Sequence, residues 1–338
     1  VTAPLVDHHD AVLLDLDGTV YRGSRLVRGA KEAIDEVHRR KVALRYVTNN
    51  ASKPPRAVVE HLGGLGLCTD TTEISTSAQA AAEVLAERLP SEARVLVVGT
   101  DALAAEIEAV DLRPVRRSAD APAAVVQGHS PDTGWIDLAE ACLAIDGGAV
   151  WVACNSDATL PAERGELPGN GAMVAALQTA TGRTPHVAGK PQPPLLRRAV
   201  DSARASRPLM VGDRLETDIA GGVRAAIPSL MVLSGVGTPE EVLSAPAELR
   251  PDYVSEDVTA LHRPPADSLI TEQSSFAVRV EDSTLVLAAR GEGVGDLPDS
   301  LSALRALCAA WWPIGSGPVR VRGDDDQAET ALTRLGLA

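Results

Sequence analysis

AVLLDLDGTVYRG, residues 11–23, begins as a short apolar strand and runs into Asp15-Leu16-Asp17-Gly18-Thr19. Two carboxylates two residues apart, at the end of a buried strand and just before a glycine turn, are a costly arrangement. Like charges held that close in a low-dielectric cleft cannot both stay ionised unless a cation lies between them or one keeps its proton. The pattern therefore points to a metal site or to a nucleophile beside an acid. A solvated strand end followed by a turn fits these five residues equally well. An aspartate is a competent nucleophile towards phosphorus, because an aspartyl-phosphate divides one hard displacement into two easier ones.

Outward from this stretch, strand-like runs alternate with amphipathic helical runs. VALRYVTNN (42–50) reads as a strand ending in polar residues, followed by a helix near 54–63. SAQAAAEVLAERL (77–89) reads as a helix with Ser77 at its N-cap. Strands at 93–100, 123–128 and 149–155 follow, with helices between them. The stretch 156–173 is too polar for a core and too long for a plain connection. Beyond it come a helix, HVAGKPQPP, a second helix, the strand PLMVGD (208–213), the helix DIAGGVRAA and a last strand, SLMVLSG (229–235). Such alternation predicts parallel sheets with helices on both faces. Near 246–268 the chain turns Pro-rich and irregular, which marks a boundary before a separate C-terminal segment.

Composition narrows the function classes. The 338 residues are 45% hydrophobic, yet include only 4 Trp, 3 Tyr and 1 Phe, so the cores must be built from Val, Leu, Ile and Ala. Lys and Arg number 32 against 46 Asp and Glu, a net charge of −14. Such a surface repels nucleic acid and anionic membrane. It also repels an anionic substrate, so a phosphoester site here needs local positive charge. Cys68, Cys142, Cys154 and Cys308 are scattered, with no metal-ligand spacing, and read as reduced core residues. No apolar run reaches membrane-spanning length and no signal-like segment opens the sequence. The expectation is a cytoplasmic protein, and a homo-oligomer is compatible with it.

Three further polar clusters fall at predicted strand ends, where open α/β sheets place their ligands. Thr48-Asn49-Asn50 offers a hydroxyl and backbone N–H groups to phosphate oxygens, or forms an Asx-capped turn. Gly189-Lys190-Pro191 fixes a lysine at a helix entry, or simply carries a surface lysine. Gly212-Asp213-Arg214-Leu215-Glu216-Thr217-Asp218 supplies two carboxylates for a divalent cation, or the charged first turn of a helix.

Together the four clusters resemble the haloacid dehalogenase superfamily of aspartate-dependent phosphohydrolases, over roughly residues 8–260. The resemblance implies a Rossmann-like core with a parallel sheet, and it supplies roles. Asp15 is implied to be the nucleophile and Asp17 the general acid and then base. Thr48, Asn49 and Lys190 are implied to bind the phosphoryl group. Asp15, the Asp17 carbonyl and Asp213 are implied to hold Mg²⁺, with Asp218 orienting Lys190. The chemistry agrees: phosphoryl transfer asks mostly for positioning and for charge stabilisation, which a hard cation and a lysine provide. Asp17 separates the chain from the pumps and dehalogenases of that superfamily, whereas hydrolase over mutase rests on the cap.

That cap is the αβ stretch between Thr48 and Lys190, similar to the large α/β cap of the NagD-like branch. Three domains are expected: a core over 1–81 and 186–260, a cap over 82–185 and a C-terminal module over 268–338. Within the cap loop, Asn155, Asp157, Arg164 and Glu166 are candidates for reading the leaving group, or are solvated loop residues. The loop holds no aromatic side chain, which favours small polyol or hydroxy-acid phosphates over a nucleobase or pyridoxal ring. The chain is most similar to actinobacterial glycerol-3-phosphate phosphatases. Glycerol 3-phosphate is thus the implied substrate, with phosphoglycolate and pyridoxal phosphate as alternatives. In the C-terminal segment, Arg290-x-x-Gly293-x-Gly295 and the tail Ala328–Leu337 resemble GNAT acetyltransferases. The match lacks that family's N-terminal half and final strand. It implies a small α+β module that serves packing or assembly, with acetyl-CoA binding or CoA regulation as the alternative. Trp311 and Trp312 read as core or interface anchors.

Overall fold

The computed structural model describes residues 2–162, 164–290 and 299–338. Gly293 and Gly295 of the GNAT-like glycine pattern lie outside the described residues. The chain divides into two compact units, residues 1–44 with 203–338, and residues 45–202.

In the first unit four parallel strands stand side by side: Ala11–Leu14, Pro208–Gly212, Ser229–Val232 and Tyr253–Ser255. Ala11 pairs with Pro208 and Leu14 with Val211, so strands almost two hundred residues apart in sequence are direct neighbours. The strand Ala11–Leu14 is buried at every position, which is why it reads as a continuous apolar run. Helix Ala30–Arg39 buries Ala30, Ala33, Ile34 and Val37, the i, i+3, i+4, i+7 stripe of an amphipathic helix.

The C-terminal segment belongs to this unit. Phe276–Glu281 and Thr284–Ala289 form an antiparallel pair, and Arg320–Gly323 adds a parallel strand beside Thr284. Helices Ser300–Trp311 and Asp326–Leu335 are capped by Asp299 and Asp325. Their apolar faces are not a separate core. Phe276, Leu285, Leu304, Leu307 and Leu332 pack in one cluster with Met231, Val242 and Val254 of the α/β part. Arg250 clasps the junction, donating to the carbonyls of Ala245 (3.1 Å), Trp312 (2.8 Å) and Gly315 (2.6 Å). Its guanidinium also lies 5.3 Å from the Trp312 ring centre. Trp312 is therefore an anchor, as its sequence context suggested.

The second unit contains a five-stranded sheet in the order His186–Val187, Val150–Ala153, Ala124–Gln127, Arg94–Val98, Arg113–Val115. Every pairing is parallel. Alternate strand residues face opposite ways. Val95, Val97, Val126 and Val152 pack with Leu85, Leu103 and Ile107 on one face. Leu96, Val98, Val125 and Trp151 pack with Ala141, Ile145, Val174 and Leu177 on the other. In a different sheet, Tyr46, Val47 and Thr48 pair in parallel with Ile74, Ser75 and Thr76.

One local reading needs correction. Thr76, not Ser77, caps helix Ser77–Ala86: its hydroxyl accepts from the Gln79 N–H and the Gln79 side chain returns a bond. Within the polar stretch 156–173, Thr159–Ala162 and Gly165–Pro168 pair as an antiparallel ribbon.

Candidate active site

The acidic part of the site lies wholly in the first unit. Asp15 directly follows the strand Ala11–Leu14, and its N–H donates to the Val211 carbonyl at 2.9 Å. Asp213 follows the neighbouring strand Pro208–Gly212. Asp218 lies in a wide turn of π-helix, Leu215–Ile219, which precedes helix Ala220–Ala225. Side-chain oxygens of Asp15, Asp213 and Asp218 all fall within 4.8 Å of one another. Asp213 and Asp218 are each 1% exposed, and Asp15 is half-buried.

Asp213 is held on several sides. Its Oδ2 accepts the Val236 N–H at 2.8 Å, and its carbonyl accepts the Gly237 N–H at 3.1 Å. A Cβ at Gly18 would lie 2.3 Å from the same Oδ2, and one at Gly235 would lie 1.8 Å from it. Gly18 also has φ +89°, a conformation that favours glycine, so the DGT turn needs it twice over. Asp218 accepts the Arg214 N–H at 3.1 Å, and a Cβ at Gly212 would meet the Asp218 side chain at 2.3 Å.

Asp17 is exposed, and its carboxylate is not one of the three grouped oxygens. The turn that carries it is closed by the Gly18 N–H donating to the Tyr21 carbonyl at 2.7 Å. Tyr21 is a member of the site that sequence reasoning passed over. Burial, and then the charges of Asp17 and Asp15, push its phenol up to about 12. Gly235 and Ser234 were also missed; the Ser234 hydroxyl donates to the Gly18 carbonyl at 2.8 Å. Their signal was present, because SGVG (234–237) follows the strand Ser229–Val232 just as the other clusters follow theirs.

Three carboxylates this close and this buried ask for a cation. All the donors are oxygens, and the set fits a hard divalent ion rather than a thiophilic one. Asp218, expected from the resemblance to orient Lys190, is thus placed among the carboxylates suited to a metal.

A separate basic cluster lies in the second unit. Thr48 ends the strand Ala43–Thr48, and its hydroxyl oxygen accepts the Asn50 N–H at 3.1 Å. Lys190 is 2% exposed and its Nζ donates to the Val47 carbonyl at 3.0 Å, so it is not a surface lysine. Gly189 before it has no room for a side chain, since a Cβ would lie 2.5 Å from the Cys154 carbonyl oxygen. Asn49 turns its side chain to Lys190: Oδ1 accepts the Lys190 N–H at 2.8 Å and Nδ2 donates to the Lys190 carbonyl at 3.0 Å.

Of the cap-loop candidates, Arg164 and Glu166 are exposed on the ribbon. Asp157 accepts from Asn49 Nδ2 at 3.2 and 3.3 Å. Asn155 is only 4% exposed. Its Nδ2 donates to the Asn49 carbonyl at 2.7 Å and its Oδ1 accepts the Asp157 N–H at 3.2 Å. Both ends of its carboxamide are thus engaged within the protein.

Known families and proteins match this chain. The haloacid dehalogenase-like hydrolase family matches residues 12–113, a HAD-hydrolase-like family matches 187–261, and a GCN5-related N-acetyltransferase-like domain matches 273–337. The chain is 46% identical over 341 residues to D-glycerol 3-phosphate phosphatase of Mycobacterium tuberculosis, covering 98% of this chain and 96% of that protein. It is 34% identical to acid sugar phosphatase of Staphylococcus aureus, over 74% of this chain and 95% of the relative. A crystal structure of glycerol phosphate phosphatase from M. tuberculosis in complex with magnesium matches with TM-score 0.94 at 45% identity, covering 100% of both chains. A p-nitrophenyl phosphatase from Archaeoglobus fulgidus matches with TM-score 0.69 at 27% identity, over 75% of this chain and 98% of that one. With two family models matched and 46% identity along nearly its whole length, this chain belongs to the haloacid dehalogenase-like hydrolases.

Proposed function

We propose that the protein is a phosphomonoesterase acting on a small phosphate ester, foremost glycerol 3-phosphate, through a covalent intermediate on Asp15. The observation that carries this reading is the group of Asp15, Asp213 and Asp218 at adjoining strand ends, with Asp17 on the turn beside it. An oxygen of Asp15 attacks phosphorus as the ester oxygen departs, and Asp17 gives that oxygen its proton. Asp17, now a carboxylate, takes a proton from water as the water attacks the aspartyl-phosphate, which returns Asp15 and frees inorganic phosphate. Lys190 and Thr48 hold phosphoryl oxygens through both steps. Asp15, Asp213 and Asp218, with the Asp17 carbonyl, would hold Mg²⁺, which when bound offsets the crowded negative charge and draws charge from the phosphoryl oxygens.

The substrate is supported by the 46% identity to D-glycerol 3-phosphate phosphatase. The division of labour is a core over 1–81 and 186–260, a cap over 82–185 that presents Arg164 and Glu166 to the leaving group, and a C-terminal module over 268–338 that completes the core. The net charge of −14 supports a small metabolite rather than nucleic acid as partner. No helix among the described residues is long and apolar enough to cross a membrane. Among the described residues all four cysteines are free, which supports a reducing cytoplasmic setting, and burial pushes the Cys154 and Cys308 thiols up, which keeps them unreactive.

Phosphate release from glycerol 3-phosphate, phosphoglycolate and pyridoxal phosphate, with and without Mg²⁺, tests the assignment. Glycerol 3-phosphate should give the highest kcat/KM, chelation should abolish turnover, and Asp15→Asn should abolish it in a folded protein. Turnover retained by Asp15→Asn overturns the mechanism.

A further inference from the structure

Inside the unit 45–202, three asparagines form a line that ends on Lys190. Asn170, the first residue of helix Asn170–Thr181, is 1% exposed. Its Nδ2 donates to the Asn155 carbonyl at 2.7 Å and to the Gln127 carbonyl at 3.3 Å. Asn155 passes the line on, its Nδ2 donating to the Asn49 carbonyl at 2.7 Å. The same carbonyl accepts the Ser77 hydroxyl at 2.6 Å, so both of its acceptor sites are filled. Asn49 then grips both backbone polar groups of Lys190 with the two ends of one carboxamide.

The partners in this line are informative. Both ends of the Asn155 and Asn49 carboxamides are met, while the buried Asn170 Oδ1 has no partner among the described residues, and apolar residues of like size would fill the same space without such demands. Here the bonds do not close a sheet or cap a helix. They lead from the base of the loop 155–170 to the main chain of the lysine. That base is tight, because a Cβ at Gly169 or Gly171 would lie 2.3 Å from the carbonyl oxygen of Asp157 or Ser156 respectively. Asp157, at the start of the loop, also accepts from Asn49 Nδ2. Asn49 thus touches the loop and the lysine with one side chain.

We propose that Asn155 and Asn170 are positioning residues for Lys190: through Asn49 they tie the placement of the phosphate-binding lysine to the base of the ribbon-bearing loop. The proposal rests on the reading of Lys190 as a phosphate ligand. The loop that faces the leaving group and the group that holds the phosphoryl oxygens are then set by the same bonds. Disturbing Asn155 acts on the phosphoryl group whatever alcohol it is attached to.

The test is Asn155→Leu, with Asn155→Ser as the smaller alternative should the first fail to fold, and Asn170→Leu beside them. Each is assayed for kcat and KM with glycerol 3-phosphate and p-nitrophenyl phosphate, for inhibition by orthovanadate, and for Tm. Misplacement of a phosphoryl-binding group should lower kcat roughly tenfold to hundredfold with both esters and weaken orthovanadate by a similar factor. In a Lys190→Ala background the same substitutions should cause little further loss, because residues acting through one group are non-additive. Loss confined to glycerol 3-phosphate would mean that Asn155 reads the leaving group, and overturns the proposal. A lowered Tm with unchanged kcat and orthovanadate affinity overturns it in favour of a purely structural role. Full kcat in Lys190→Ala alone removes the phosphate-binding reading itself, whatever Asn155→Leu does.

Discussion

Asp213 has almost no freedom of place. Two glycines distant in sequence, Gly18 and Gly235, both leave the space that its carboxylate occupies. Gly235→Ala sets a methyl carbon 1.8 Å from Asp213 Oδ2, so the carboxylate must move. Because the displaced group belongs to the metal-suited cluster, kcat should fall on the order of a hundredfold while Tm moves little. Steady-state kinetics over a Mg²⁺ titration, alongside thermal melting, checks this; unchanged kinetics would show that the cluster tolerates the shift. At this scale the sequence was legible for placement, setting Asp15 and Asp213 just beyond strands, where the structure has them. It was not legible for Asn49 or Asn155. Their partners lie 141 and 106 residues away, and an asparagine at a strand end looks the same whether it faces a ligand or a distant carbonyl.

The elements tell a parallel story. Helices such as Ala30–Arg39 were readable because one face is buried and the other wet. The ribbon Thr159–Ala162 and Gly165–Pro168 was not, because Gly165–Pro168 is exposed at every position and so carries no alternation. Helix Ser77–Ala86 shows how close a local error can be. Ser77 and Thr76 are both good caps, and the choice went to Thr76 because the Ser77 hydroxyl is engaged by the Asn49 carbonyl. The ribbon's exposure gives the cap prediction its scale. Arg164→Ala and Glu166→Ala should lower kcat/KM for glycerol 3-phosphate severalfold while leaving p-nitrophenyl phosphate hydrolysis nearly unchanged, the reverse of the pattern expected for Asn155→Leu. Surface substitutions of this kind cost little stability, so Tm should stay put. Equal losses on both esters would place these residues outside leaving-group recognition.

For the molecule as a whole, the C-terminal segment matters most through what it covers. Chain stopped at residue 272 would lose Phe276, Leu285, Leu304, Leu307 and Leu332 from the cluster that also contains Met231, Val242 and Val254. The remaining apolar faces would meet water. Such a truncation should be insoluble or melt far below the full chain, as sedimentation and thermal melting would show, although Asp15, Asp213 and Lys190 all remain. A truncated protein with unchanged Tm would mean that the segment is an appendage. The sequence suggested a packing module through its family resemblance and its paired tryptophans. It could not show a shared core, because burial of a leucine against residues distant in sequence leaves no local period.

The pairing of Ala11–Leu14 with Pro208–Val211 also sets a timetable. A growing chain emerges from the ribosome amino end first. The first strand therefore waits, with its hydrogen-bonding edge unmatched by this partner, until residues 208–211 have been made. Residues 45–202 are continuous and can meet all of their sheet partners earlier. The carboxylate group arrives later still, since Asp218 is made more than two hundred residues after Asp15. During synthesis the stretch that holds Lys190 can be complete before Asp15 has Asp213 and Asp218 beside it, so the three-carboxylate group forms only after residues 45–202 have been made.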